Sequence, residues 1–210
     1  MVLLFAAQSI FAQNVNDTIA IGEVSILDNR LNTPLSKENR NIYVIDKTQL
    51  DKLPVRTLQE ALQYATGVDL RQRGPFGSQA DISMDGGSFE QTLILLNGIK
   101  VMDQQTAHNA LNLPVPLEAI DRIEVVRGPA ARVYGNNSLT GVINIVTRKP
   151  KKTGVFAHTY MGTNFEKDSE DTGKTFTNRG IQFGANLAED KHQHQLYATH
   201  DWGSGYRYNT

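Results

Sequence analysis

Residues 127–147 read RGPAARVYGNNSLTGVINIVT, and this stretch decides the fold. Gly128 and Pro129 force a tight change of direction after Arg127. A short helix follows and stops at Gly135. Gly135 and Gly141 permit a positive φ or a close backbone approach that a side chain would block. Val142–Val146 (VINIV) then reads as a strand filled with core residues, a short apolar run bounded by turn residues. Turn, short helix and buried strand in such quick succession belong to a compact mixed domain.

Working upstream, Ile120–Val126 (IDRIEVV) is a strand leading into the Arg127 turn. Thr92–Leu96 is another, ending at Asn97-Gly98, a tight-turn pair in which both residues tolerate positive φ. Val101–Asn112 is a polar loop of a length that is usually functional or disordered. Asp81–Met84 is a strand, preceded by the glycine- and proline-marked loop Arg71–Ala80. Thr57 and Glu60 have capping-box spacing, and Leu58, Ala61, Leu62 and Ala65 share one helical face. Gly67 stops that helix and Val68–Leu70 resumes as strand. Asn41–Ile45 is a strand, and Asp46 caps a short helix that ends before Pro54. Short strands interleaved with short helices make an α+β domain with a small mixed sheet.

Downstream of Pro150 the texture changes. Ile181, Phe183, Ala185 and Leu187 alternate with Gly180, Gln182, Gly184 and Asn186. Leu196, Ala198, His200 and Trp202 alternate with Gln195, Tyr197, Thr199 and Asp201, and Val155–Gly162 is a weaker third case. Strands of about 10 residues with one apolar and one polar side match a lipid-facing barrel wall, although an antiparallel sheet on a soluble core has the same period. A long loop over Thr163–Asn178 and a tight turn at Glu189-Asp190-Lys191 fit the loop asymmetry of outer-membrane barrels.

The chain has 210 residues, a net charge of −1 and no cysteine. The charge argues against nucleic acid as a partner, and the absence of cysteine excludes disulfide frameworks and cysteine zinc sites. Met1–Ala12 (MVLLFAAQSIFA) is too short to span a membrane but has the length of an export signal's apolar core. It lacks the positive n-region, which points to a truncated or mis-assigned start. A short core strand or helix is the alternative reading; the abrupt polar turn at Gln13 favours export. Residues 13–40 read as a loose segment carrying one β-prone stretch, Ile21, Gly22, Glu23, Val24, Ser25, Ile26 and Leu27. That stretch is either a strand of the main sheet or an exposed strand offered to another protein's sheet edge.

The 127–147 stretch closely resembles the C-terminal signature of TonB-dependent receptor plugs, with its R-G-P turn, Y-G pair, further glycine and I-N-I-V-T strand. Arg127, Gly128, Pro129, Tyr134, Gly135, Gly141 and Asn144 carry the match. Thr92–Gly98 (TLILLNG) and Leu58–Leu70 resemble two earlier family elements. The resemblance implies a plug over 41–150 and, from 151 to 210, the first antiparallel strands of a transmembrane β-barrel. It implies transport of a scarce ligand such as a metal chelate or cobalamin across the outer membrane, with the barrel in lipid. It also implies a TonB-like energy-transducing partner engaging 21–27, and no cofactor. Where the family often has an arginine-glycine pair in a charge cluster tying plug to barrel together with the R-G-P arginine, this chain has Asp85-Gly86. Asp85 therefore inverts one charge of a lock shared with Arg127.

No nucleophile elbow, phosphate-cradling loop or histidine–carboxylate pair indicates an enzyme. His192 and His194 share a strand face but read as a solvated turn rather than a metal site. Arg148–Lys152 (RKPKK) reads as a linker between plug and barrel. The resemblance puts the loops 71–79 and 102–112 at the outward face, where Arg73, Phe76, Gln104, Gln105, His108 and Asn109 offer charge, stacking and amide donors to a ligand. A soluble plug-like module that binds without transporting is the competing function. The mature chain is expected to begin near Gln13: intact-mass measurement on the envelope fraction should show the loss of Met1–Ala12, and a retained Met1 contradicts the export signal.

Overall fold

The computed structural model describes residues 41–74, 78–103, 108, 110–167, 175–189 and 192–204. The first half is a mixed five-stranded sheet. Its strands are β1 (Asn41–Asp46), β4 (Thr92–Leu96), β5 (Ile99–Val101), β6 (Ile120–Arg127) and β7 (Gly141–Thr147), in the order β1-β6-β7-β4-β5. Only the β4–β7 pair is parallel. A separate hairpin pairs β2 (Val68–Gln72) with β3 (Ala80–Met84). The mixed sheet and short helices are those expected from the sequence.

β7 occupies the middle of the sheet, and Gly141–Val146 are all buried. This explains its continuous apolar run, since a strand covered on both faces cannot alternate with polar residues. One face carries Ile143 and Ile145 into the main core with Ile45, Met84, Ile94, Ile123 and Val125. Two short helices, α1 (Lys47–Leu50) and α2 (Leu58–Leu62), close that face with Leu50, Leu58, Ala61 and Leu62. The other face packs Val142 with Leu93, Leu95, Val126 and Ala130. Full burial of one such aliphatic side chain stabilises by roughly 1.5–3 kcal/mol. The sole polar side chain within β7 before Thr147 is Asn144, whose amide donates to the Glu124 carboxylate at 2.9 Å and accepts the Gly98 N–H at 3.1 Å. Glu124, fully buried, also accepts from Arg122 Nε at 2.8 Å.

The local signals act as their chemistry dictates, with two differences. Asp46 forms a complete capping box with Gln49. Thr57 caps α2 by accepting the Glu60 N–H at 3.2 Å, but the Glu60 carboxylate accepts from the Arg56 N–H at 2.7 Å rather than from Thr57. The helix expected through Ala65 ends at Leu62; Tyr64 and Ala65 bond to Ala61 and Leu62, three residues back, at 3.2 and 3.1 Å. This tightened last turn still buries Ala65. The Asn97-Gly98 hairpin has φ of 51° and 79°. α3 (Ala131–Tyr134) ends at Gly135, whose φ is 84°.

β8 (Gly154–Lys167), β9 (Thr175–Ala188) and β10 (Gln193–Gly203) form an open antiparallel sheet in the order β10-β9-β8. The loop expected over Thr163–Asn178 is shorter, because backbone pairing continues through Thr163↔Thr177 and Lys167↔Thr175. β8 and β9 are therefore 14 residues each rather than about 10. Their polar threonines and asparagine at this end gave no apolar alternation to mark them as strand. The turn at the other end closes with the Glu189 N–H on the His192 carbonyl at 2.9 Å. Ile181, Phe183, Leu187, Leu196 and Trp202 are exposed on one side, while Gln182 and Gly184 on the other are buried.

Gly141 supplies a test of the packing. A Cβ there would lie 2.5 Å from the Val126 carbonyl and 2.3 Å from the Met84 sulfur. The sulfur can move; the carbonyl belongs to the neighbouring strand and cannot. Gly141→Ala is expected to destabilise the isolated segment 41–150 by about 1–3 kcal/mol, the usual cost of overpacking, read as a lowered urea midpoint.

Candidate functional site

The β2–β3 hairpin and the segment around His108 meet on one carboxylate. Asp81, on the non-core side of β3, receives His108 Nδ1 at 2.8 Å and Gln79 Nε2 at 3.3 Å on one oxygen, and Arg73 Nη2 at 3.3 Å on the other. The His108 ring also packs on Phe89, with centroids 4.3 Å apart. Two loops separated in sequence are thus tied to one strand. Of the six side chains expected to face a ligand, Arg73 and His108 come together here. Phe76, Gln104, Gln105 and Asn109 lie outside the described residues, as do Met1–Ala12 and the coupling segment Ile21–Leu27. Asp81 was not singled out in the sequence. Its only sign there is its place on the polar side of a strand whose other side, Ala80, Ile82 and Met84, is buried.

Partial burial pushes the Asp81 carboxyl up, but the hydrogen bonds from His108, Gln79 and Arg73 outweigh it and hold the group below its ordinary value. A carboxyl with a lowered folded pKa stabilises above its unfolded pKa and loses that contribution as pH falls through the folded value. Asp81→Ala is therefore expected to cost about 1–3 kcal/mol at pH 7. The cost should shrink below about pH 4, where the ordinary carboxylate titrates. Urea midpoints of wild type and variant across pH 2–7 check this; a cost independent of pH contradicts it.

Asp85 and Arg127 stand together. Arg127 Nε donates to Asp85 Oδ2 at 3.1 Å, and its Nη2 donates to Oδ1. Asp85, φ 50°, forms the turn after β3 with Gly86. The guanidinium lies across Gly67, where a Cβ would sit 2.4 Å from Arg127 Nε. Asp85 thus pairs with Arg127 inside the domain, and the inverted charge expected from the sequence becomes an internal ion pair. Arg127, in turn, is held more firmly protonated by that hydrogen bond. Of the remaining signature residues, Gly128 has φ 89° and its N–H bonds the Thr140 carbonyl at 2.8 Å, and Tyr134 packs half-buried beside Ala130. Pro129 stands between two closing bonds, the second from the Ala130 N–H to the Ser138 carbonyl at 2.9 Å.

The three-stranded sheet meets the mixed-sheet domain through groups the sequence did not mark. Tyr160 on β8 lays its ring across Gly180 of β9 and donates to Asp201 of β10 at 2.5 Å. A Cβ at Gly180 would sit 2.4 Å from both the ring and the carboxylate, so only glycine leaves the space. Arg56, just before α2, places its guanidinium 5.7 Å from the centre of that ring. Beside this contact runs a crevice of about 450 Å³ between α2, residues 111–117 and the sheet, with Gln182, Thr199 and Asp201 on its far wall. Phe156 repeats the motif over Gly184. Arg148, in the linker, donates to the Glu118 carbonyl. The His192 and His194 rings stack at 6.3 Å, and among the described residues no three histidine, cysteine or acidic side chains form a metal cluster.

Comparison with known proteins gives one answer at three levels. The family model described as TonB-dependent Receptor Plug Domain matches residues 34–142. A vitamin B12 transporter, BtuB, of Vibrio vulnificus is 27% identical over 183 residues, covering 85% of this chain and 29% of the relative. An iron-regulated outer membrane virulence protein of Vibrio cholerae is 36% identical over 163 residues, covering 71% and 23%. Among solved structures, the unliganded ferric citrate transporter FecA aligns with a TM-score of 0.65 and 25% identity over 88% of this chain and 29% of that one. The siderophore receptor PirA of Pseudomonas aeruginosa aligns at 0.57 and 29%, covering 80% and 30%. The chain spans less than a third of the length of these relatives. With the plug model over half its length and the plug sheet followed by antiparallel strands, this chain belongs to the TonB-dependent receptor family.

Proposed function

We propose that this chain supplies the plug, over 41–150, and the first wall strands, from 151, of an outer-membrane receptor that takes up a scarce ligand. Residues 1–12 act as the export signal and 13–40 as a loose coupling segment. The two-sidedness of β8–β10 carries the reading. The apolar side chains face away from the plug, and the polar and glycine side faces it. A soluble sheet packed on this domain would have the opposite arrangement. In hydrocarbon an unpaired backbone group costs several kcal/mol, so further strands are needed to pair the open edges of β8 and β10.

The plug blocks the barrel lumen, and its apical loops, held by Asp81, receive the ligand. Relatives named as transporters of vitamin B12 and ferric citrate, and as siderophore receptors, support a cobalamin or metal-chelate cargo. Arg127 keeps its charge within the plug by pairing with Asp85. The Arg56–Tyr160–Asp201 contact then takes over the work of holding the plug on the wall.

Energy enters through Ile21–Leu27, which adds as a strand to the sheet of a TonB-like periplasmic protein. Val24→Pro removes a backbone donor from that strand. In cells expressing the whole receptor, ligand binding is expected to persist while uptake falls to background. Unchanged uptake locates the coupling strand elsewhere. Recovery of the protein from the soluble periplasmic fraction supports the plug-like binding module instead.

A further inference from the structure

Over the rows that pair Val155–Met161, Arg179–Leu187 and His194–Trp202, the outward face of the wall strands carries a single formal charge. Its rows, read across β8, β9 and β10, are Met161–Arg179–Trp202, Thr159–Ile181–His200, Ala157–Phe183–Ala198 and Val155–Ala185–Leu196, ending at Leu187–His194. Arg179 is exposed, and none of the ion pairs among the described residues includes it. Its guanidinium carbon sits 4.6 Å from the centre of the Trp202 ring. Around the pair runs a groove of about 490 Å³ lined by Thr159, Met161, Arg179, Ile181, His200 and Trp202.

The row lies at the edge of the apolar band. Next beyond it the outward positions are polar: Thr177 pairs with Thr163, and the Ser204 N–H bonds the Thr177 carbonyl at 3.0 Å. In the other direction the band runs to Leu187, roughly 27 Å along the strand at about 3.4 Å per residue. With a strand tilt of about 40° this spans roughly 20 Å of membrane, close to the height of a barrel's apolar band. Arg179 therefore stands where headgroups begin. A cation there calls for an anion, and a guanidinium suits a phosphate through two parallel hydrogen bonds. Stacking on Trp202 holds it in place before the anion arrives, so less side-chain freedom is lost on binding. Ile181 and Phe183, 50% and 42% exposed, continue the groove into the apolar band as a track for an acyl chain.

We propose that this groove is a binding site for a phosphorylated lipid, with the phosphate on Arg179 and its acyl chain along Ile181 and Phe183, and that the occupant is the phosphorylated glycolipid of the outer leaflet. The leaflet follows from the strand ends. The Arg179 row is at the end joined through 168–174, opposite the tight turn closed by Glu189 and His192. Short turns of outer-membrane barrels face the periplasm. The inference rests on the receptor reading given above, and the test separates the two.

Cell fractionation comes first, on the whole receptor and its Arg179→Gln, Arg179→Lys and Trp202→Phe variants. A wild-type protein absent from the outer membrane overturns the receptor reading and the lipid site with it. Protein extracted in mild detergent and stripped of lipid is then titrated by native mass spectrometry with bis-phosphorylated lipid A, dephosphorylated lipid A and phosphatidylglycerol. Wild type is expected to prefer bis-phosphorylated lipid A over both others. Arg179→Gln should weaken that binding about tenfold, the loss of one charge-assisted contact, with Arg179→Lys and Trp202→Phe intermediate. Equal binding of the three lipids, or equal lipid A binding by wild type and Arg179→Gln in correctly inserted protein, overturns the site. A preference for phosphatidylglycerol overturns the assigned occupant.

Discussion

β7 has no solvent face, and the rest of the plug is arranged around that constraint. A strand covered on both sides must satisfy its backbone within the sheet, which β4 and β6 do from either edge. It must also find two apolar layers, which α1 and α2 supply on one side and α3 with its flanking turn on the other. The Arg127–Gly128–Pro129 turn and Gly135 bring the chain back from the end of β6 to the start of β7 through residues 128–140, around α3. Gly141 then lets β7 approach the Val126 carbonyl more closely than any side chain would allow.

The polar link inside this apolar sheet fixes which way the neighbours lie. Glu124 is fully buried, and a buried carboxylate is tolerated only when its lone pairs are met. Arg122 and Asn144 meet them, and Asn144 also accepts the N–H of Gly98. The Asn97-Gly98 hairpin is thereby tied to the strand two places away in the sheet's chemistry. Asn97 repeats the device at the end of β7, accepting the Thr147 N–H at 2.8 Å. Slippage of β4 against β7 by one residue would break the Gly98–Asn144 and Thr147–Asn97 bonds while leaving Glu124 paired, at a cost of about 1–3 kcal/mol for each orphaned group.

The wall strands obey the opposite rule. Their apolar side is outermost, and the side against the plug is built from glycine, glutamine, tyrosine and aspartate. Glycines 180 and 184 are flattened so that Tyr160 and Phe156 can lie across them. That leaves a largely polar wall with a crevice along α2, into which Gln182, Thr199 and Asp201 project from the sheet. The Asp81 hub has a similar character: charge-assisted bonds that hold two loops firmly but can be exchanged for other polar partners.

Much of this was written in the sequence, because it depends on local chemistry. The 127–147 stretch, the Asn97-Gly98 turn, the Asp46 cap and the alternation in 179–202 each act locally, so the fold class and the succession of elements along the chain could be read directly, but not the order of strands in the sheet. The strand ends at 163–167 and 175–178 could not, since their pairing comes from partner backbone rather than from apolar period. The site was the less legible part. Asp81, 27 residues from His108, and Arg56, more than a hundred from Tyr160, have no common pattern in sequence. Asp85 read as an inverted charge because the family often has an arginine in its place; that it pairs directly with Arg127, 42 residues away, follows only from the fold. Side-chain pairing between distant segments is decided by how the strands stack, and the amino-acid order by itself carries the stacking rules but not the resulting distances.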